Sequence, residues 1–150
     1  MDVTDVINLN AIDLYLQVDD KKGAIEVLSE LLFKDGSIRC KEEFINDVYL
    51  REAQGMTGIG DFIAIPHGKS DSVVKTCIAV GRVDKGIAWE TIDDKPVKLI
   101  ILFAVDNKSK NNLHVKLMAK VAGALANKTI CEALLEAEEA KDVLSIFKQN

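Results

Sequence analysis

Two prolines and two histidines are all that this 150-residue chain contains of either, and aromatic residues make up only 5% of it. Nine glycines without a repeat exclude a collagen-like chain, and 48% apolar residues exclude a disordered one. Basic residues number 19 against 24 acidic ones, a net charge of −5, so no general basic footprint exists to attract a phosphate backbone. Nucleic acid is therefore not an expected partner. The longest apolar run, Leu99 to Val105, spans seven residues, far short of the roughly 20 that cross a bilayer. The opening MDVTDVINLN is acidic, unlike a secretory signal. Three cysteines, Cys40, Cys77 and Cys131, are odd in number and far apart within apolar patterns. They read as reduced, buried thiols rather than a disulfide frame or zinc site. These absences together lead to the expectation of a cytoplasmic protein with no membrane insertion.

What is present fits one domain, residues 1–150, since a core of this size rarely splits. Ile12, Leu14 and Leu16 alternate with polar neighbours and predict a first strand. Asp19 or Asp20 then caps a helix with Ile25, Leu28, Leu31 and Leu32 on one face, and Asp35-Gly36 supplies its stop. Ser37 is the expected cap of a second helix, with Phe44 and Val48 on its inner stripe and Gly55 after its end. From Met56 to Ser70 the glycines and Pro66 predict a loop, a short strand ending near His67, and a tight turn. Thr76, Ile78 and Val80 mark another strand. The continuous run Val97 to Phe103 predicts a central strand covered on both faces. Asn111 or Asn112 is the expected cap of a helix carrying Leu117, Val121 and Leu125. Thr129 to Glu132 has capping-box spacing, and Ala140, Val143, Leu144 and Phe147 give a last amphipathic helix. The fold class that follows is α/β (α+β), a three-layer α/β/α sandwich with a mixed central sheet, in the order β-α2-β3-α3.

The two histidines are the first chemical candidates. His67 stands between Pro66 and Gly68, stiff on one side and open on the other. An imidazole so presented is a competent nucleophile at neutral pH for a phosphoryl or acyl group; a turn histidine is the competing structural reading. His114 falls in the first turn of a helix, on a stripe with Met118, Val121 and Leu125. The helix dipole there favours the neutral ring, either as a core histidine or as a donor to an oxyanion beside His67. Arg51 closes the second helix just before the glycine loop. It suits either phosphate oxygens or a solvated helix end. Thr57, Gly58 and Asp61 are candidates for supporting the loop. Thr57-Gly58-Ile59-Gly60 lacks the lysine and the third glycine of the two nucleotide motifs. Asp61, His67 and His114 match no metal-ligand spacing, so no cofactor and no metal are expected. A Cys/His hydrolase using Cys77 or Cys40 with His67 is disfavoured by the buried patterns of those thiols.

The string TGIGDFIAIPHGKS, with Arg51-Glu52 upstream and a second histidine opening LHVKLMAKVAGAL, resembles the fructose/mannitol-type EIIA component of the bacterial phosphoenolpyruvate-dependent sugar phosphotransferase system. GIAWETIDDKPVKLIILFAV adds to a resemblance that covers essentially the whole chain. It implies that His67 is the phosphorylated nucleophile, that His114 hydrogen-bonds the phosphoryl group, and that Arg51 stabilises its charge. It further implies a phosphotransferase component that takes the group from the phosphohistidine of a small phosphocarrier protein. The group would pass to a IIB domain of a permease whose membrane IIC component recognises fructose or a related sugar or polyol. The alternative is a nitrogen-type regulatory IIA, which binds target proteins according to its phosphorylation state. Phe62 stands where the family more often has glycine, and Asp61 where Asn or another polar residue is common. The sequence therefore predicts that Phe62 avoids positive φ and either packs under the loop or joins Ile59 and Ile65 in an apolar docking patch around His67.

Overall fold

The computed structural model describes residues 2–108 and 113–148, with the side chain of Leu113 left aside. Six strands and five helices follow in the order β1 (Ile7–Asp13), α1 (Lys21–Lys34), α2 (Lys41–Glu52), β2 (Gly58–Gly60), β3 (Ile63–Ala64), β4 (His67–Ser70), β5 (Cys77–Ile87), β6 (Val97–Asp106), α3 (Leu113–Leu125), α4 (Lys128–Glu136) and α5 (Ala140–Lys148). The strands form one sheet in the spatial order β1-β5-β6-β3-β2, with β4 also paired to β6 beyond β3. Pairing is mixed. β5 runs antiparallel to β6, whereas β1 is parallel to β5 and both β3 and β4 are parallel to β6.

β6 explains the three layers. Every residue from Leu99 to Val105 is buried, and successive side chains of a strand point to opposite faces. Ile100, Leu102 and Ala104 join Ile25, Leu28 and Leu32 of α1 and Phe44 and Val48 of α2. Leu99, Ile101, Phe103 and Val105 join Leu117, Val121 and Leu125 of α3, Leu134 of α4, and Val143 and Phe147 of α5. The expected sandwich is thus observed, with α1 and α2 on one face and α3 to α5 on the other.

Local chemistry moves several boundaries. β1 lies earlier than the Ile12–Leu16 alternation predicts, because Asp13 turns the chain by accepting the Tyr15 N–H. Leu16 still follows the sheet by donating its N–H to the Arg82 carbonyl, which keeps the alternating burial beyond the strand. Asp20 caps α1 through the Gly23 N–H, and Gly36, at φ 82°, ends it. Ser37 is not the cap of α2: its hydroxyl and N–H are taken by Asp35, and Cys40 holds the N-cap without a side-chain bond. Cys40 is exposed, so only Cys77 and Cys131 are buried thiols. The cap of α4 is Asn127, which accepts from Thr129 and Ile130, and Thr129 lies inside the helix. The expected caps Asn111 and Asn112 lie outside the described residues.

The largest difference lies between α2 and α3, where five strands replace the expected three. Pro66 has no N–H to give to a ladder, so it divides one edge of β6 between two short strands. Ile63 and Ala64 pair with Leu99 and Ile100, the Pro66 carbonyl accepts from Phe103, and pairing resumes at His67 opposite Phe103. His67 therefore starts a strand rather than ending one. β2 and β3 form a hairpin whose two central residues, Asp61 and Phe62, have φ values of 55° and 68°, the pattern of a type I′ turn. Contrary to the sequence expectation, Phe62 does adopt positive φ. Its ring faces the ammonium groups of Lys98 at 4.9 Å and Lys95 at 5.5 Å, contacts that help hold it there.

Gly68 fixes α2 against β4. A Cβ at this position would come within 2.7 Å of Val48 Cγ2 and 3.1 Å of Phe44 Cε1. Gly68→Ala is expected to destabilise the protein by about 1–3 kcal/mol through overpacking. Urea unfolding at constant slope measures the change; an unchanged midpoint would mean that the helix can yield.

Candidate functional site

In β4, Gly68 and Ser70 are buried towards α2, so His67 and Lys69 project to the α3 side, where Phe103 lies beside His67. Arg51 occupies the last turn of α2, one turn beyond the Val48 that packs on Gly68. Its Nη1 donates to the Gly55 carbonyl at 3.1 Å, which ties the guanidinium to the loop entering β2. His114 stands in the first turn of α3. Three groups that are distant in sequence are thereby brought to one end of the sheet.

Their electrostatics are coupled. His67 is held below the usual histidine value by burial and by the Arg51 cation, with His114 adding to the effect. The Ile65 backbone carbonyl and the Glu52 carboxylate oppose this shift. His67 Nδ1 is buried and has no hydrogen-bond partner among the described residues. His114 is also shifted downward, by burial and then by the charge of Lys69, and its Nδ1 is likewise buried and unpartnered among the described residues. The neutral form expected at a helix start is thus favoured here by burial and a neighbouring cation. Lys69 was not singled out from sequence, although its spacing of two from His67 places both on one strand face.

Thr57 supports the loop from below. It is buried, its carbonyl accepts the Ile65 N–H, and its hydroxyl donates to Glu52 Oε2 at 2.7 Å. The same hydroxyl oxygen accepts the indole N–H of Trp89 at 3.1 Å. The other Glu52 oxygen meets Lys21 Nζ at 2.6 Å. Gly58 lies against the β5–β6 connection, bonding through its N–H to Glu90 and through its carbonyl to Ile92.

Asp61 is placed elsewhere. It occupies the exposed hairpin tip, where its N–H donates to Asp93 at 3.1 Å. Ile63, two residues beyond it, and His67 pair with positions four residues apart on β6, a separation of about 13 Å along the strand. Phe62 shares that tip and so does not adjoin His67, whereas Ile59 and Ile65 are partly buried against the core. The exposed apolar side chains adjoining the site residues are Leu50 beside Arg51, Met56 beside Thr57 and Val115 beside His114. Among the described residues no group of three metal-ligating side chains is found. Burial pushes the Cys77 thiol up to about 11, which leaves it protonated at neutral pH and a poor nucleophile.

A neutral imidazole beside a guanidinium and a second imidazole is suited to accepting and returning an anionic group. Residues 5–150 match the family described as "Phosphoenolpyruvate-dependent sugar phosphotransferase system, EIIA 2". The chain belongs to this EIIA family. It is 31% identical over 150 residues to the PTS system fructose-specific EIIABC component of Bacillus subtilis (strain 168), where it spans all of its own length and 24% of that protein. It is 31% identical over 152 residues to the fructose-specific EIIA component of Haloferax volcanii, covering 99% of this chain and 98% of that one. It is 35% identical over 151 residues to the nitrogen regulatory protein of Escherichia coli (strain K12), covering 98% and 90%. The crystal structure of the nitrogen regulatory protein IIA-Ntr from Neisseria meningitidis superposes with a TM-score of 0.88 at 29% identity, covering 97% and 98%.

The two depressed histidines give a pH prediction. Below the ordinary value of 6.5 the unfolded chain takes up protons before the folded one, so stability present above that pH is progressively lost below it. Denaturation midpoints should fall from about pH 7.5 towards pH 5. The double variant His67→Gln/His114→Gln should show a shallower fall; an identical slope would contradict the assigned shifts.

Proposed function

We propose that this protein is a phosphocarrier that accepts a phosphoryl group on His67 from the phosphohistidine of a small carrier protein and hands it to an acceptor. The observation that carries this reading is the His67 ring, with Nδ1 buried and the neutral form favoured beside the Arg51 cation. Burial of Nδ1 leaves Nε2 as the attacking nitrogen, with the ring proton assigned to Nδ1. In the transfer the lone pair of Nε2 forms the new N–P bond while the donor's N–P bond breaks, and the donor imidazole leaves with that electron pair. A loose in-line transition state asks the protein mainly for position and for charge on the equatorial oxygens. Arg51 supplies the charge and His114 a hydrogen bond, and the group is returned by the reverse step. No nucleotide, metal or other cofactor enters, and the phosphoryl group derives ultimately from phosphoenolpyruvate.

For the acceptor, the fructose-specific relatives support a IIB domain of a cognate permease, with fructose or a related sugar or polyol as the transported substrate. The protein would then work in the cytoplasm at the inner face of a membrane IIC component without entering the bilayer; no helix among the described residues is long and apolar enough to cross one. The second reading is a regulatory IIA that binds target proteins according to the state of His67, which the 35% identity to a nitrogen regulatory protein supports. Both use the same site chemistry and differ in the fate of the group. Leu50, Met56 and Val115 are exposed apolar side chains next in sequence to Arg51, Thr57 and His114, of a kind that suits transient docking.

Incubation with phosphoenolpyruvate, enzyme I and the phosphocarrier protein, followed by intact mass measurement, tests the reading. Wild type should gain one acid-labile phosphoryl group and His67→Ala none. His114→Ala should accept the group and pass it on slowly. No adduct on wild type, with the carrier shown to be charged, would remove the phosphocarrier reading; wild-type onward transfer by His114→Ala would remove the role given to His114.

A further inference from the structure

The side chain of Glu52 is only 5% exposed, close enough to His67 for its charge to act on the ring. A carboxylate in that position opposes a bound phosphoryl group, which carries negative charge of its own. Its surroundings offset this. One oxygen bonds Lys21 Nζ at 2.6 Å and the other accepts from Thr57 at 2.7 Å. Thr57 in turn accepts from Trp89, and Lys21 stands 5.1 Å over the Trp89 ring. Four residues from four separate segments, the start of α1, the end of α2, and the loops before β2 and after β5, thus close a ring of polar contacts. Lys21 also meets Glu90 at 3.1 Å. Both oxygens of Glu52 are occupied within the ring, so the carboxylate is fixed in place as well as balanced in charge.

We infer that Lys21 is a positioning residue for phosphoryl acceptance, acting through Glu52: it neutralises and orients the buried carboxylate so that a group on His67 meets the Arg51 guanidinium without an unbalanced negative charge behind it. This inference deepens the phosphocarrier reading and rests on it. The charged and titratable groups facing His67 are Arg51 and Glu52 from α2, His114 from α3, and Lys69 further along its own strand face. Of these, Glu52 favours the protonated ring, whereas Arg51 and His114 disfavour it. Burial alone would lower the Lys21 pKa, and its bonds to Glu52 and Glu90 turn that into a net rise, which keeps the ammonium charged while it balances the carboxylate.

Lys21→Met removes the balancing charge and leaves Glu52 in place. The His67 ring, followed by its nitrogen and proton resonances over a pH series in the unphosphorylated protein, should then titrate at higher pH than in wild type. The equilibrium fraction phosphorylated at a fixed ratio of charged to uncharged carrier should fall several-fold. Lys21→Arg should restore both quantities. Glu52→Gln should move the titration down, and Lys21→Met/Glu52→Gln should bring it back towards wild type. A Lys21→Met titration and phosphorylation equilibrium both equal to those of wild type would overturn the inference, as would Lys21→Arg behaving like Lys21→Met. The titration needs no phosphoryl donor. Its movement in a wild-type and variant pair that never becomes phosphorylated would sink the carrier reading while upholding the electrostatic link from Lys21 to His67.

Discussion

The site depends on the close approach of α2 to β4 at Gly68. Phe44 and Val48 lie so near that strand that a single Cβ would meet them below normal contact distance. This seating fixes the axis and rotation of α2, and hence where its last turn ends. Arg51 and Glu52 belong to that turn, and the guanidinium is tied to the following loop through Gly55. Because strand side chains alternate, the glycine that admits the helix also directs its neighbour His67 to the opposite face, towards α3 and His114. One packing contact therefore joins the two helical layers to the His67 ring.

Around that ring the charges are graded. Burial, Arg51 and His114 favour a neutral imidazole, which leaves a lone pair for attack, while Glu52 and the Ile65 carbonyl hold the shift in check. A carrier must release what it binds, so a site offering only cations would hold the phosphoryl group too strongly for onward transfer. A carboxylate neutralised by Lys21 and held by Thr57, which Trp89 bonds in turn, provides a restrained counterweight.

Much of this was legible in the sequence because it is written in local patterns. The apolar run that fills most of Val97–Phe103 announced a strand covered on both faces, and the Phe44 and Val48 stripe announced the inner face of α2. His67, His114 and Arg51 were identified by the residues around them, and the chain ends by bringing their elements together. Other features were set by tertiary contacts. The polar ring of Lys21, Glu52, Thr57 and Trp89 spans almost seventy positions and has no periodic signature. Phe62 takes up positive φ because a two-residue hairpin requires it there and lysines cover its ring. Asp61 reads in sequence as support for the His67 loop, yet the hairpin carries it to the far end of β3. Pro66 was recognised as punctuation, but only the sheet revealed that the punctuation divides two strands on one edge of β6.

The most direct test of the central claim is a nitrogen-detected NMR spectrum of histidine-labelled protein before and after phosphorylation by the charged phosphocarrier. On the proposed mechanism the group sits on one atom, so phosphorus coupling should appear at Nε2 of His67, with the His114 ring perturbed but unphosphorylated. Coupling at Nδ1 of His67, or at either nitrogen of His114, would contradict the arrangement described.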